Sequence, residues 1–397
     1  MKHSETIGDS SALFQPITLR SVEIPNRVMV SPMCQYSAGE GGAATDYHLV
    51  QIGRYALGGF GLVVVEATAV TPEGRITHGD LGLWSDQQTA GLARMADFLS
   101  RHGSVPGIQL GHAGPKASAQ KPWEGNGPLG MDDAARGALP WQIVSVSSEP
   151  AGPGWPAPAA LDVAAIHQLI DAYAAAARRA REAGFRYLEI HAAHGYLLHS
   201  FLSPLTNTRA DEYGGSRQAR QRFLLEVTSA IRSVWPSQYP LGVRISAVDG
   251  VAGAIDLTDT VSLSRELKQL GVDIIDCSSG GVGGAYQQPI DLGFQVPFAE
   301  AVRQHAEIAT VAVGLILEPN QAEQIIAAGR ADIVAIAREA LVDPNWAVKA
   351  RLQLQTAERS FDHWHPQAAW WLQGRERLLR KLGIHTRRRS LDHSTYP

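Results

Sequence analysis

The sequence predicts an α/β fold of the (β/α)8 TIM-barrel class, with an N-terminal hairpin, an insertion after the third strand and a C-terminal extension. Eight short runs rich in β-branched residues recur along the chain, and the core of each run is almost continuously apolar, as in parallel strands covered on both sides. Helical patterns separate these runs. No GxGxxG follows a predicted strand, and no GxxxxGKS or GxxxxGKT occurs, so the nucleotide-binding fingerprints typical of an open doubly wound sheet are missing.

The order of strands and helices follows from these patterns. The clearest helix spans residues 161–184, where apolar residues recur at helical spacing, Asp162 is the expected N-cap and Gly184 the expected C-terminal stop. The strands are expected at residues 27–33, 62–70, 105–112, 187–194, 241–247, 273–279, 310–316 and 332–338.

Three segments lie outside the repeat of a single domain that is expected over residues 1–397, with the barrel at about 13–354. Residues 13–25 predict a hairpin that closes the N-terminal end of the barrel. Residues 115–160 are rich in Gly, Pro and Trp, and this long insertion is a candidate lid over the site. Residues 355–397 form the C-terminal extension.

Composition excludes several classes of protein. The 397 residues are 45% hydrophobic and 19% charged, with a net charge of −4, which does not favour a nucleic-acid partner. Two cysteines, Cys34 and Cys277, are too few for a disulfide framework, a CxxC zinc site or an iron–sulfur cluster. The N-terminus lacks the apolar core of a signal peptide, and no apolar stretch is long enough to span a bilayer. A cytoplasmic protein without a membrane partner is expected.

The fourth predicted strand ends in the sequence EIHAAHGYLLHSFLSP, which places two histidines three residues apart. Side chains alternate between faces along a strand, so His191 and His194 share one face only if the backbone leaves the extended conformation after His191. Gly195 makes such a turn easier. Two imidazoles aimed into one pocket can bind a metal, hold an anionic oxygen or fill space, and this stretch alone does not decide among the three.

Active sites of TIM barrels lie at the C-terminal ends of the strands. A catalytic zinc ion usually has three protein ligands, so a metal site would need Glu66 or His112 beside the two histidines. Hydrogen-bond donors there better suit a phosphorylated, planar, electron-rich ligand, because loops after strands 7 and 8 hold phosphate in barrels and arginine grips it in a bidentate manner. These donors are Gln109, Arg244 and Arg338.

Several longer motifs occur in order along the chain, and together they resemble one family. The chain is similar to the Old Yellow Enzyme family of FMN-dependent ene-reductases, in the bacterial branch of the xenobiotic reductases and thermophilic-type enzymes, over about residues 13–372. The motifs are SPMCQYSA (31–38), VEATAV (65–70), GIQLGHAGPKAS (107–118), EIHAAHGYLLHSFLSPLTNTRADEYGGS (189–216), VRISA (243–247), DCSSGG (276–281), AVGLI (312–316) and AREALVDPNW (337–346).

The resemblance implies an FMN cofactor and a role for each matching residue that contacts it. Cys34 would lie near the flavin N5 and tune the redox potential, whereas Gln109 and Arg244 would hydrogen-bond the pyrimidine edge. The backbone around Ser31, Pro32 and Met33 would pack on the isoalloxazine together with Ala67. The phosphate would be bound by Gly314, Ala337 and Arg338, where Ala337 replaces a glycine common in the family.

The resemblance also implies a reaction and a substrate side. NADPH or NADH would reduce the flavin, which would then reduce activated alkenes such as enones or maleimides, and possible acceptors include nitro compounds. His191 and His194 would hold the substrate oxygen and Tyr196 would supply a proton, while Tyr36 and Trp371 would line the substrate pocket. A homodimer is expected. The alternatives are a metal-dependent barrel lyase or hydrolase that uses the two histidines, and a flavin-binding protein without turnover.

Overall fold

Eight parallel strands close into a barrel in the computed structural model, which describes residues 11–284, 286–354 and 360–384. Parallel pairing runs through β3, β4, β5, β8, β9, β10, β11 and β12 and returns to β3, which confirms the predicted fold class. The strands in chain order are β1 (Ile17–Leu19), β2 (Val22–Ile24), β3 (Val28–Val30), β4 (Leu62–Ala69), β5 (Val105–Gly111), β6 (Val144–Ser145), β7 (Ala159–Ala160), β8 (Tyr187–Ala192), β9 (Leu241–Ser246), β10 (Ile274–Ser278), β11 (Ala309–Ala312) and β12 (Ile333–Ile336).

Helices surround the barrel and connect its strands. The helices are α1 (Asp46–Leu57), α2 (Thr89–Arg101), α3 (Met131–Ala135), α4 (Val163–Glu182), α5 (Leu197–Leu202), α6 (Arg217–Val234), α7 (Leu257–Gln269), α8 (Val296–Ala306), α9 (Pro319–Ala327), α10 (Arg338–Val342), α11 (Trp346–Leu354) and α12 (Pro366–Lys381). As predicted, Asp162 caps α4 by accepting a hydrogen bond from the backbone N–H of Ala165 at 2.8 Å. In the described part of the chain, no helix combines the length and apolarity needed to cross a membrane.

The predicted terminal segments are only partly described. The C-terminal extension contains α12, whereas residues 355–359 and 385–397 lie outside the described residues. Residues 1–10, on which the absence of a signal peptide was judged, also lie outside them.

Alternation along the strands decides which residues reach the interior of the barrel. On β8, Leu188 and Ile190 face the surrounding helices and belong to the large apolar core between helices and strands. Tyr187, Glu189 and His191 face the barrel interior instead, and all three are buried. The interior-facing residues of β8 are therefore polar, and His191 is the one nearest the C-terminal end of the barrel.

The N-terminal hairpin closes the opposite end, as predicted. β1 and β2 pair in antiparallel fashion, with Leu19 opposite Val22. Both residues and Ile24 pack in an apolar cluster with the first residues of the barrel strands, including Leu62 and Ile274. Because this cluster excludes water from the N-terminal end, the other end alone is left for chemistry.

We expect Asn26→Ala to destabilise the barrel by about 2 kcal/mol, because it leaves buried backbone groups without partners. Asn26 Oδ1 accepts hydrogen bonds from the N–H groups of Val28 and Gly61, both at 3.1 Å, and its Nδ2 donates to the Gly59 carbonyl at 2.9 Å. Urea unfolding followed by circular dichroism measures the effect as a lower midpoint. The exposed Asn320 provides the control N320A, and equal midpoints for the two variants would contradict the prediction.

Candidate active site at the C-terminal end of the barrel

The backbone turns sharply after β8, and this turn brings the two predicted histidines together. His194 has φ 60° and Gly195 has φ 75°, so both lie in the left-handed region. The rings of His191 and His194 consequently lie edge to face, with centroids 5.2 Å apart. The ring of Tyr196 lies 4.9 Å from that of His191, also edge to face. Three side chains able to donate hydrogen bonds therefore meet at one point of the barrel mouth.

Three side chains hold this left-handed turn through its backbone groups. Ser246 Oγ accepts from the N–H of His194 at 3.0 Å, and Lys116 Nζ donates to the His194 carbonyl at 2.7 Å. His199 Nδ1 accepts from the N–H of Gly195 at 2.8 Å. A non-glycine residue with positive φ persists only where its surroundings fix it, and here every contact comes from a different element.

His199 is itself fixed from behind by a buried carboxylate. His199 Nε2 lies 2.8 Å from Asp249 Oδ1, and both side chains are inaccessible to solvent. Because Nδ1 accepts from a backbone N–H, the proton of a neutral ring lies on Nε2, facing Asp249. Asp249 Oδ2 accepts further hydrogen bonds from Ser203 Oγ and the N–H of Ile255. The turn is therefore held in its orientation by buried hydrogen-bonding groups.

The two histidines are neutral imidazoles. Burial, and then the Arg244 charge, hold the pKa of His191 and of His194 well below the ordinary value. His191 Nδ1 accepts from the N–H of Ala193 at 3.2 Å, so its proton lies on Nε2. His194 Nε2 lies 2.6 Å from Ser278 Oγ, whose hydroxyl also lies 3.3 Å from Gln295 Oε1.

His191 and Tyr196 border one pocket at the mouth. Burial, followed by the influence of Cys34, Tyr36 and Asp80, raises the pKa of Tyr196 well above its usual value, so its hydroxyl keeps its proton. The other residues around this pocket are Ala67, Thr68, Ala69, Gly74, Ile76, Asp80, Gly111, His112 and Ala113.

The segment after β3 supplies the next predicted residues, from Ser31 through Pro32 and Met33 to Cys34 and Tyr36. Ser31 is buried, its N–H donates to the Ile336 carbonyl at 3.0 Å, and its Oγ has no hydrogen-bond partner. Burial and the nearby carboxylates raise the pKa of the half-buried Cys34 thiol, so the sulfur is a neutral thiol at pH 7.

Tyr36 stands at the outer side of the same pocket region. It has φ 52°, and its ring lies 5.9 Å from that of Trp123 in an edge-to-face contact. Trp123 belongs to the predicted insertion, which packs against the barrel mouth through a small apolar cluster that also touches Tyr196. The insertion thus forms a wall of the site. Whether it moves as a lid stays a prediction.

Two further buried polar residues lie on the strands that pair with β8: Gln109 is in register with Glu189, and Arg244 is in register with His191. Gln109 on β5 donates from Nε2 to Glu189 Oε1 at 2.8 Å. Arg244 on β9 lies beside Asp276, with Nε 3.4 Å from Oδ2, but this pair is not aligned as a hydrogen bond and Arg244 Nε has no hydrogen-bond partner. Each of the two side chains therefore lies beside a buried carboxyl group, Glu189 for Gln109 and Asp276 for Arg244.

The predicted phosphate residues lie at the ends of two paired strands. Gly314 follows β11 with φ 108°, and a Cβ at this position would press against Phe294 and Gln295 at 3.0–3.2 Å. Ala337 follows β12, and the exposed Arg338 begins α10. Because β11 and β12 pair in parallel, these residues share one corner of the mouth.

The structure does not bring Trp371 to the pocket of its own chain. Trp371 lies on α12 with 72% of its surface exposed, edge to face with Trp370 at 4.6 Å. α12 begins beside the C-terminal end of α2, where the rings of His365 and His102 lie 5.1 Å apart. A contribution of Trp371 to substrate binding stays a prediction.

The third ligand required by the metal alternative is missing from the described residues. Glu66 lies 3.9 Å from His48, and burial raises its pKa to about 8. Within residues 11–284, 286–354 and 360–384, no cluster of three or more His, Cys, Asp or Glu side chains is arranged to hold a metal ion.

Comparison with known proteins identifies the family. Residues 12–357 match the model of the NADH:flavin oxidoreductase / NADH oxidase family. The chain is 44% identical over 347 residues to the NADPH dehydrogenase of Bacillus velezensis, which covers 87% of this chain and 95% of that protein. It is 42% identical over 345 residues to the NADPH dehydrogenase of Bacillus subtilis, with the same coverage. The chain belongs to the Old Yellow Enzyme family.

Solved structures of this Old Yellow Enzyme type share the fold. Morphinone reductase superposes with a TM-score of 0.71 at 26% identity, over 90% of this chain and 94% of that one. The old yellow enzyme homologue from Zymomonas mobilis gives a TM-score of 0.71 at 24% identity, over 90% and 98%. The chain is therefore an NAD(P)H-dependent flavin oxidoreductase with FMN as its cofactor, as the sequence predicted.

The residues at the mouth fit the FMN of an Old Yellow Enzyme. Ser31 Oγ is a buried polar atom without a hydrogen-bond partner among the described residues, and the buried Arg244 guanidinium lies beside Asp276 at 3.4 Å. The backbone of Gly314, which carries no side chain, lies at the corner that Arg338 borders. A planar ring with a polar edge and a phosphate would satisfy this donor set.

Proposed function

We propose that this Old Yellow Enzyme reduces activated C=C bonds, of the kind found in enones and maleimides, and that nitro compounds are further acceptors. The observation that carries the proposal is the contact of the neutral His191 ring with the rings of both His194 and Tyr196, at the pocket that His191 and Tyr196 border. Bound FMN supplies the hydride in this chemistry, and NADPH or NADH supplies the electrons that restore it.

The two imidazoles hold the acceptor oxygen. Addition of a hydride to an activated alkene builds negative charge on the conjugated oxygen. Fixed donors stabilise this charge more than they stabilise the ground state, which accelerates the reaction. His191 donates from Nε2, and Ser278 fixes the ring of His194. Neutral rings perform this task without transferring their own protons.

Tyr196 is the proposed proton donor to the carbon next to the carbonyl. Its hydroxyl stays protonated at neutral pH, since burial raises its pKa. Its ring lies beside that of His191, and the Lys116 ammonium lies 5.8 Å from the ring centroid, where its positive charge favours the negative charge left on the phenol after proton transfer.

The remaining predicted residues bind FMN in this proposal. Gln109 and Arg244 bind the pyrimidine edge, and Cys34 lies near N5, where a neutral thiol adjusts the reduction potential. The isoalloxazine packs on the backbone of residues 31–33 and on Ala67. The phosphate is bound by Gly314, Ala337 and Arg338.

The proposed assembly is a homodimer that acts on small molecules in the cytoplasm. Trp371 and Trp370 lie exposed on α12, which gives each chain an aromatic surface for a second copy. Trp371 would then line a substrate pocket from the partner's side rather than from its own.

Purified protein tests the proposed function directly. We expect a yellow protein that releases one FMN per chain on denaturation, is reduced by NADPH or NADH without air, and is reoxidised by 2-cyclohexenone or N-ethylmaleimide. The same panel, run with each nicotinamide cofactor, ranks the acceptors. Reduction by NADPH without reoxidation by any activated alkene would refute the proposal and leave an oxidoreductase with a different acceptor.

Tyr196→Phe should slow reoxidation of the reduced flavin by 2-cyclohexenone by about 100-fold, because general acid catalysis typically contributes at least that much. Reduction by NADPH should keep its rate, since that step needs no proton from Tyr196. Stopped-flow absorbance separates the two half-reactions. Tyr239→Phe, at the opposite end of the barrel beside Trp235, is the control. Equal slowing of both half-reactions by Y196F would show that Tyr196 is structural.

A further inference from the structure

Two buried carboxyl groups lie behind the residues proposed to bind the flavin pyrimidine. Glu189 on β8 and Asp276 on β10 are both fully buried in the barrel interior. β9 runs between these strands, and its Arg244 is in register with Asp276. Neither carboxyl belongs to the pocket that His191 borders. Burial of charged groups costs free energy, so we expect these two buried carboxyl groups to have a function.

Glu189 fixes the amide of Gln109. Its Oε1 accepts from Gln109 Nε2 at 2.8 Å, and its Oε2 lies 2.9 Å from the hydroxyl of Tyr187. Tyr187 fills the centre of the barrel because its neighbours are glycines. A Cβ at Gly107 or Gly242 would collide with its ring or its hydroxyl. With Nε2 engaged below, the carbonyl oxygen of Gln109 is the group left to face the mouth.

Asp276 is the counterion of Arg244. Its Oδ2 lies 3.4 Å from Arg244 Nε, and neither of its oxygens has a hydrogen-bond partner among the residues that the structure describes. Two carboxyls share one guanidinium, and a net negative charge is unfavourable at such depth. Burial raises the pKa of both carboxyls; the neighbouring Asp276 raises that of Glu189 further, to about 8, whereas the adjacent Arg244 guanidinium opposes the rise at Asp276, so Glu189 is the neutral member at pH 7. Asp276 is then left to balance Arg244.

We propose that Asp276 is a positioning residue for FMN, which lies beside Arg244, offsets its positive charge and so keeps the flavin reduction potential low. The inference rests on the proposed contact between Arg244 and the pyrimidine edge. Oxidised flavin takes up two electrons and one proton to become a reduced ring with one negative charge. A guanidinium whose charge is already balanced by Asp276 stabilises that negative charge less than an unbalanced one.

A low potential suits an enzyme that must pass its hydride on. An arginine alone would stabilise the reduced flavin and would retain the electrons that the acceptor needs. Asp276 weakens this stabilisation without removing the hydrogen-bond donors of Arg244. With Asp276 beside it, Arg244 can orient the flavin ring by hydrogen bonds without strongly stabilising the negative charge of the reduced flavin.

The test is the midpoint potential of bound FMN at pH 7, measured by reductive titration against a reference dye. Asp276→Asn should shift the ratio of reduced to oxidised flavin at least tenfold toward the reduced form, a rise of about 30 mV for a two-electron couple. Asp273→Asn is the matched control, because Asp273 precedes the same strand, also pairs with an arginine (Arg20, 2.7 Å) and lies at the other end of the barrel. Its potential should equal that of the wild type.

Either of two results would overturn the proposal. One is a D276N protein that binds FMN with the wild-type potential or a lower one. The other is failure of both D276N and the smaller neutral variant D276S to fold, which would make Asp276 a folding residue only. A wild-type potential in D276N with enone turnover intact refutes this inference alone, whereas wild-type protein without enone turnover refutes the proposed function instead.

Discussion

Gly195→Ala is expected to lower kcat/KM for 2-cyclohexenone by about 100-fold while FMN stays bound, because a displacement of about 1 Å at a reacting geometry costs that much. A Cβ at this position would overlap the carbonyl of Gly281, which Lys116 also contacts. The residue has φ 75°, which adds backbone strain. The turn must move to relieve the steric overlap and the backbone strain, and this movement displaces His194.

A second glycine separates steric overlap from backbone strain. Gly103 has φ 81° in the loop before β5, and a Cβ there meets nothing within 4 Å. Gly103→Ala therefore introduces the same kind of strain at the opposite end of the barrel, and it should lower thermal stability without changing kcat/KM. Steady-state kinetics on FMN-loaded protein compares the two variants. Identical kcat/KM values for G195A and G103A would mean that the turn does not set the position of His194.

Replacement of His191 and His194 together by Ala should reduce kcat/KM for 2-cyclohexenone by about 1,000-fold, since loss of a single fixed donor to a developing oxyanion commonly costs 100- to 1,000-fold. Binding of a phenol, read from the change in flavin absorbance, should weaken in parallel. FMN content should stay at one per chain, because neither ring is proposed to hold the cofactor. The exposed His305→Ala is the control.

The pH dependence distinguishes neutral donors from charged ones. Because the pKa of both histidines is lowered well below 6.5, the rings become protonated only at a pH far below that value. The ratio of wild-type to double-variant kcat/KM should therefore stay constant between pH 6 and pH 8. A ratio that falls as the pH rises through 6.5 would indicate that imidazolium, rather than imidazole, holds the substrate.

Much of this architecture was predictable because each barrel strand is a short run of apolar residues that can be recognised in the sequence. The eight apolar runs coincide with the barrel strands, and the N-cap Asp162 and the hairpin at 13–25 follow from patterns a few residues long. The spacing of His191 and His194 required a turn after the strand, and positive φ values at His194 and Gly195 supply it. The strands, the N-cap, the hairpin and the turn all depend on residues that are close together in the sequence.

The residues that hold the turn were not predicted, because they come from distant segments. Ser246, Lys116 and Asp249 are 52, 78 and 50 positions from His194 or His199 and meet them only in the folded barrel. The position of Glu189, in contrast, could have been predicted from the sequence. An acidic residue two positions before His191 on an apolar strand must share its inward face. Whether Trp371 lines a substrate pocket stays a prediction, because sequence patterns do not state to which side a terminal helix returns.

The contacts of the turn at residues 194–195 have a consequence for how this enzyme diverges. Lys116 ties the carbonyl of His194 to that of Gly281, and Ser246 donates to the carbonyl of Gly280 while it accepts from His194. Loops from four barrel strands are thereby tied to each other, so transplanting one of them from a relative would disturb the rest. New substrate ranges should arise instead by exchange of the outer wall around Trp123, where replacement leaves those ties intact.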